Sequence, residues 1–230
     1  MSSSSTPVTQ ELFDYLAART RGEDAFLREL KTAARAAGMP EIWISPEQAS
    51  LMQILLASAG AKRVLEVGTL AGYSAIAMAR ALPPAAEGGQ LVTVEIDPAR
   101  ARFAREWAAR SDVGDRIEVV NEPGASALAR QGADAFDAAF LDADKGGYAV
   151  YLEHCLRIVR PGGLILVDNA FAFGQLLERG ARDPEVAAVR AFNERMAATP
   201  GLQGVIVPIG DGLWVAVRER GAKARPASGR

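Results

Sequence analysis

The chain has 230 residues, 49% of them hydrophobic, and a formal charge of −2. That length suits a single core of α/β size, and the near-neutral balance gives no footprint for extended contact with nucleic acid or an anionic membrane. A lone cysteine, Cys155, excludes an intramolecular disulfide framework and fits a reducing cytoplasm.

In chain order, residues 1–8 open serine-rich and read as a disordered leader, without the basic and apolar stretches of a secretion signal. No run approaches membrane-spanning length. Residues 9–19 and 23–37 carry apolar side chains at helical spacing: Leu12, Phe13 and Leu16, then Phe26, Leu27, Leu30 and Ala34. Gly38 and Pro40 stop the second helix. Ser45-Pro46-Glu47-Gln48 supplies a cap, a proline at the first helical position and acidic charge, so a third helix runs to about Ser58 and stops at Gly60. From Arg63 the pattern alternates. Strands are expected at 63–67, 91–95, 116–121, 136–141 and 163–167, with helices at 71–82, 98–110, 124–131, 148–159 and 183–198. This predicts an α/β fold with a Rossmann-like, doubly wound, mostly parallel sheet. Residues 203–209 and 213–217 are joined so tightly by Gly210-Asp211-Gly212 that they must be antiparallel, which brings the sheet to seven strands. The organisation expected is one domain, 9–218, with an N-terminal helical layer at 9–60 and the sheet core at 61–218. Residues 219–230 form a basic tail that reads as disordered.

Groups at the carboxyl ends of adjacent parallel strands converge on one crevice. Asp142 and Lys145 follow the fourth strand, while Asp168 and Asn169 follow the fifth. Two carboxylates, an amide oxygen and an amine would therefore meet, which is a hard-oxygen divalent cation site with a base beside it. The first strand ends Glu66-Val67-Gly68-Thr69-Leu70-Ala71-Gly72-Tyr73-Ser74. Its glycine spacing is G-x-x-x-G, not the G-x-G-x-x-G that cradles a dinucleotide pyrophosphate. Glu66 in that turn can receive an amino group, and Glu95, ending the second strand, is placed for both hydroxyls of a ribose.

On these residues the chain resembles the class I S-adenosylmethionine-dependent methyltransferases, and among them the cation-dependent O-methyltransferases of the caffeoyl-CoA and catechol type, in their bacterial form. The resemblance spans roughly 9–217. It implies that Ile44, Glu66, Gly68, Thr69, Ser74, Glu95, Ala125 and Asp142 surround S-adenosylmethionine, with Glu95 on the ribose, Ala125 against the adenine and Ile44 closing the site. It implies Asp142, Asp168 and Asn169 as ligands of a divalent cation (Mg2+ first, with Mn2+ or Ca2+ as alternatives) and Lys145 as the catalytic lysine. The implied substrate is a small aromatic diol, and the implied assembly a homodimer. A vicinal diol can chelate the cation, which acidifies the reacting hydroxyl; Lys145 then takes the proton and the oxygen attacks the sulfonium methyl.

One position and one segment depart from the family pattern. Ala49 stands where glycine is usual, and Ala170-Phe171-Ala172-Phe173-Gly174 replaces a leucine-tryptophan pair beside the acceptor pocket. Plainer roles exist for several residues. Either aspartate alone can end a strand and cap a turn, but four convergent polar groups are costly to bury without a ligand. Lys145 could be a solvated charge or the counter-ion of Asp144. His154 lacks a metal-ligand partner one helical turn away and reads as structural; Cys155 reads as core. Tyr151 borders either the cofactor or the core, and Trp43 is the tryptophan expected nearest the site, with Trp107 and Trp214 packing. Competing functions are methylation of a tRNA wobble uridine, a nicotinamide-dependent oxidoreductase, and a non-catalytic S-adenosylmethionine-binding module.

Overall fold

A computed structural model describes residues 7–180 and 182–221. Most of the leader and tail expected at the termini therefore lies outside the described residues. Three helices come first: α1 (Gln10–Ala17), α2 (Ala25–Ala36) and α3 (Pro46–Ser58). Each starts where a side-chain oxygen accepts from a free backbone N–H: Thr9 from Leu12, Asp24 from Leu27, Ser45 from Gln48.

The alternating part follows as β1 (Arg63–Val67), α4 (Tyr73–Ala79), β2 (Gln90–Glu95), α5 (Pro98–Arg110), β3 (Ile117–Asn121), α6 (Gly124–Ala129), β4 (Phe136–Leu141), α7 (Tyr148–Ile158), β5 (Val159–Val167) and α8 (Pro184–Ala198). The last elements of the described residues are β6 (Leu202–Val207) and β7 (Leu213–Arg218). The seven strands lie in the order β3-β2-β1-β4-β5-β7-β6. β1 to β5 are parallel; β7 pairs antiparallel with both β5 and β6. The expected seven-stranded, mostly parallel sheet with an antiparallel C-terminal strand is therefore present.

Apolar side chains alternate between the two faces, as the period of a strand requires. Val64, Phe140 and Leu166 join one core with Leu30, Met52 and Ile76 of the helices before and after β1. Leu65, Leu141 and Val167 join the other with Tyr148, Leu152 and Phe192 of α7 and α8. Each large apolar side chain buried this way contributes about 1.5–3 kcal/mol. Polar residues kept among them need partners.

Two boundaries differ from the sequence reading. α4 starts at Tyr73 rather than at residue 71, because Gly68, Leu70 and Gly72 all take left-handed φ and keep the turn open. β5 starts at Val159 rather than at 163. The pairing with β4 jumps from Phe136↔Val159 to Ala138↔Leu164, so Arg160 to Gly163 bulge opposite Asp137, which accepts from Arg160 Nε at 2.6 Å. The apolar run marked only the part of the strand beyond the bulge.

Candidate active site

The strand order reverses between β1 and β4, and ligands of such sheets bind in the crevice outside the carboxyl ends at that point. A cavity of about 630 Å³ opens there. Ile44, Gly68, Thr69, Ser74, Glu95, Ala125, Asp142, Lys145 and Asn169 all line it, as do Trp43, Tyr151 and Phe173. A second cavity, of about 580 Å³, lies beside the N-terminal helices, where Arg80 is already paired with Asp24 and Asp112.

On the β1 side the chain turns sharply at Gly68, whose φ is +100°; a Cβ there would sit 1.8 Å from the carbonyl oxygen of Asp142. Only glycine lets β1 and β4 approach so closely at their ends. Glu95 fixes the turn by accepting from Leu70 N at 2.8 Å and from Asp97 N at 3.0 Å.

Glu66 does not line the cavity. It is fully buried beneath the turn and accepts from Ser74 Oγ and Thr93 Oγ1, each at 2.5 Å, while Thr93 also bonds Thr69 Oγ1. Burial pushes the Glu66 carboxyl up to about 8, with the two hydroxyls pulling it partly back. The acid reaches the cavity through Ser74 and Thr69, which do line it.

On the β4–β5 side, Lys145 is buried and its Nζ lies 3.3 Å from Asp142 Oδ1 and 2.7 Å from the hydroxyl of Tyr148. Its ionic partner is therefore Asp142. Asp144 instead accepts from the Tyr151 hydroxyl at 2.6 Å. The Tyr148 hydroxyl in turn donates to the carbonyl of Asp168 at 3.3 Å.

Asp168 is buried behind the cavity wall, and its Oδ1 accepts from Gln48 Nε2 at 2.8 Å. Asn169 gives its amide nitrogen to Asp211 Oδ2 at 3.2 Å, which leaves the amide oxygen free for a ligand. Asp142 is held above the ordinary carboxylate range by burial, against the pull of Lys145. Asp168 is raised by burial and then by Asp142, with Gln48 opposing.

Among the described residues no group of three or more His, Cys, Asp or Glu is gathered for a metal. The set here is two carboxylates and an amide oxygen. Hard oxygen donors of this kind suit Mg2+, Mn2+ or Ca2+. The residues fit a divalent cation.

Sequence reasoning missed the partners that hold these groups. Thr93 was signalled by being the polar residue in an otherwise apolar run, and Tyr148 by its spacing of three from Lys145 at a helix start. Gln48 and Asp211 gave no such signal: one read as a helix N-terminus, the other as a turn. His154 is half-buried and Cys155 fully buried, with the thiol pushed up to about 12 by burial.

A Rossmann-like sheet with a glycine turn, an acid ending β2 and a polar cluster at the switch point defines a nucleotide-cofactor enzyme class. The O-methyltransferase family model matches residues 17–219. Catechol O-methyltransferase of Niastella koreensis is 38% identical over 188 residues, covering 80% of this chain and 83% of that protein. Catechol O-methyltransferase of Mycobacterium tuberculosis is 36% identical, covering 81% and 83%. The crystal structure of the O-methyltransferase from Bacillus cereus in complex with SAH superposes with a TM-score of 0.81 at 33% identity, covering 90% and 96%. The chain belongs to the O-methyltransferase family, within the S-adenosylmethionine-dependent class.

Proposed function

We propose that the chain transfers the methyl group of S-adenosylmethionine to a hydroxyl of a small catechol-like acceptor, with a divalent cation at Asp142, Asp168 and Asn169. The observation that carries this reading is the convergence of Lys145, Asp142 and Asn169 on the same cavity as the Gly68 turn and Glu95. The names of the two bacterial relatives support the acceptor class. Ile42 and Phe173 add exposed apolar surface at the mouth, suited to an aromatic ring.

The turn after β1 would hold the cofactor. Glu95 takes the ribose hydroxyls, Ala125 meets the adenine, and Thr69 and Ser74 face the methionine part with Glu66 behind them. Ile44 and Trp43 close the cavity from the N-terminal helices. A divalent cation would be held by Asp142, Asp168 and Asn169 and would supply Lewis acidity that lowers the pKa of the reacting hydroxyl. Lys145 accepts that proton at Nζ, with the Tyr148 hydroxyl holding Nζ in place. The phenolate oxygen attacks the methyl carbon in line, the C–O bond forms, and the S–C bond electrons return to sulfur as the neutral thioether leaves. Placement of the two reactants supplies most of the acceleration, an effect worth up to ~7–11 kcal/mol in favourable systems.

The test is methyl transfer to a panel of catechols, matched monophenols and bulk tRNA, with and without Mg2+. Transfer confined to catechols and dependent on Mg2+ is expected; transfer to tRNA or equal use of monophenols contradicts the acceptor class. A homodimer is proposed on resemblance alone, and a monomeric mass in light scattering at micromolar concentration would refute it.

A further inference from the structure

The segment after β5 holds a conformation that its own sequence does not favour. Asn169, Ala172 and Phe173 have φ of 62°, 54° and 58°, and Gly174 follows at 77°. L residues seldom enter that region singly, and a run of them needs support from outside the segment. The support comes from the turn between β6 and β7. Asp211 Oδ2 accepts from Asn169 Nδ2 at 3.2 Å and from Phe173 N at 2.8 Å, while Oδ1 accepts from Gly174 N at 3.2 Å. Backbone bonds from Phe171 N to the Asp211 carbonyl (2.8 Å) and from Ala170 N to the Gly212 carbonyl (2.9 Å) run alongside. Gly212 packs so close that a Cβ would lie 2.8 Å from the Phe171 ring.

One carboxylate thus grips two groups with different tasks. Asn169 is a proposed cation ligand, and its amide orientation follows from the bond to Asp211, because a carboxylate can accept only from the nitrogen side. Phe173 lines the cavity with its ring centroid 6.0 Å from Lys145 Nζ. We infer that Asp211 is a positioning residue that couples the cation ligand Asn169 to the aromatic acceptor wall at Phe173. The inference rests on the cation reading above and goes beyond it, since Asp211 does not line the cavity. A carboxylate suits the task because both of its oxygens accept. Asparagine in its place would point an N–H₂ group at N–H donors.

The test uses Asp211→Asn, with Asp211→Ser as a milder variant and Asn169→Ala as the reference. Mn2+ affinity is measured by calorimetry. Amide hydrogen exchange at Phe173 and Gly174 is followed without added cation, and S-adenosylmethionine affinity reports an intact fold. The expected result is Mn2+ binding weakened ~10–100-fold, the range for losing a residue that orients a ligand. Exchange at both amides should speed up at least tenfold, with cofactor affinity within twofold. Asn169→Ala combined with Asp211→Asn should bind Mn2+ no more weakly than Asn169→Ala alone, because the two act through one oxygen.

Mn2+ affinity within twofold of the parent in both Asp211 variants would overturn the inference. So would independent, additive losses in the double variant. A parent chain that binds no Mn2+ would sink the cation reading and the coupling together. Unchanged exchange at Phe173 and Gly174 with normal Mn2+ binding in the parent would sink the coupling alone.

Discussion

The two sides of the cavity are built in opposite ways. The proposed cofactor side is local: Gly68, Thr69, Ser74 and Glu95 lie within one βαβ unit, held by a glycine turn and by Glu95 bonding Leu70 N across 25 residues. The proposed acceptor side is long-range: Gln48 reaches Asp168 across 120 residues, and Asp211 reaches Asn169 across 42. Backbone geometry governs the first and side-chain partners govern the second. Substitutions on the cofactor side should therefore act on fold and cofactor together, whereas those on the acceptor side should change chemistry with the fold preserved.

The largest effect expected is from Gly68→Ala. The new Cβ would meet the Asp142 carbonyl at 1.8 Å on a left-handed backbone, so β1 and β4 must separate. Urea unfolding should show a loss of about 3 kcal/mol or more, at the upper end of ordinary substitutions, together with loss of cofactor binding. Normal stability and cofactor affinity would show that the turn is not rigid, and the contrast between the two sides would fail.

Lys145→Arg keeps the charge but replaces the amine with a group that does not give up its proton. The kcat should fall by ~10²-fold or more, the scale of losing a general base, with cofactor affinity unchanged. The loss should shrink for more acidic catechols, which need less help to ionise. A near-native kcat on an ordinary catechol would leave the lysine a positioning role.

Glu66 sharpens the comparison through pH. Its carboxyl titrates near 4.5 in an ordinary setting and at about 8 when buried in the cofactor-free fold. Between those values the folded chain keeps a proton that the unfolded chain has lost, so this group's contribution is greatest at low pH and declines as pH rises toward 8. The melting temperature of the cofactor-free protein should therefore drop more between pH 5.5 and 8 than that of Glu66→Gln, which is neutral throughout. Parallel pH curves for the two proteins would mean that Glu66 is ionised in the fold.

The smallest effect is expected at the mouth. Phe173 is 46% exposed, so Phe173→Ala should raise the acceptor KM several-fold through lost ring contact, with little change in kcat or cofactor affinity.

The same contrast explains how much the sequence disclosed. The sheet and the cavity wall after β1 were legible because their signals are contiguous: apolar runs, glycine spacing and acids at strand ends. Asp142, Lys145 and Asn169 were legible because strand ends in this architecture converge. Ionic partners were not, and Lys145 pairs with Asp142 rather than with its neighbour Asp144. Nor did Gln48 or Asp211 announce themselves, since their roles depend on how α3 and the β6–β7 turn dock against β5. Glu66 was expected in the turn, ready to receive an amino group; its burial beneath Ser74 and Thr93 is a property of packing against β2. The bulge at Arg160 to Gly163 hid the start of β5 for the same reason: its cause, Asp137, sits on the neighbouring strand.

The central claim is that methyl transfer depends on a divalent cation held where β4 and β5 end. The direct measurement is single-turnover transfer to a catechol by chelator-treated protein, with Mg2+ titrated back, for the parent and for Asp168→Ala. Negligible turnover in chelator and full recovery with Mg2+ are expected for the parent. Asp168→Ala should show little recovery even though S-adenosylmethionine binds both proteins equally. Full turnover by the parent in excess chelator would contradict that claim.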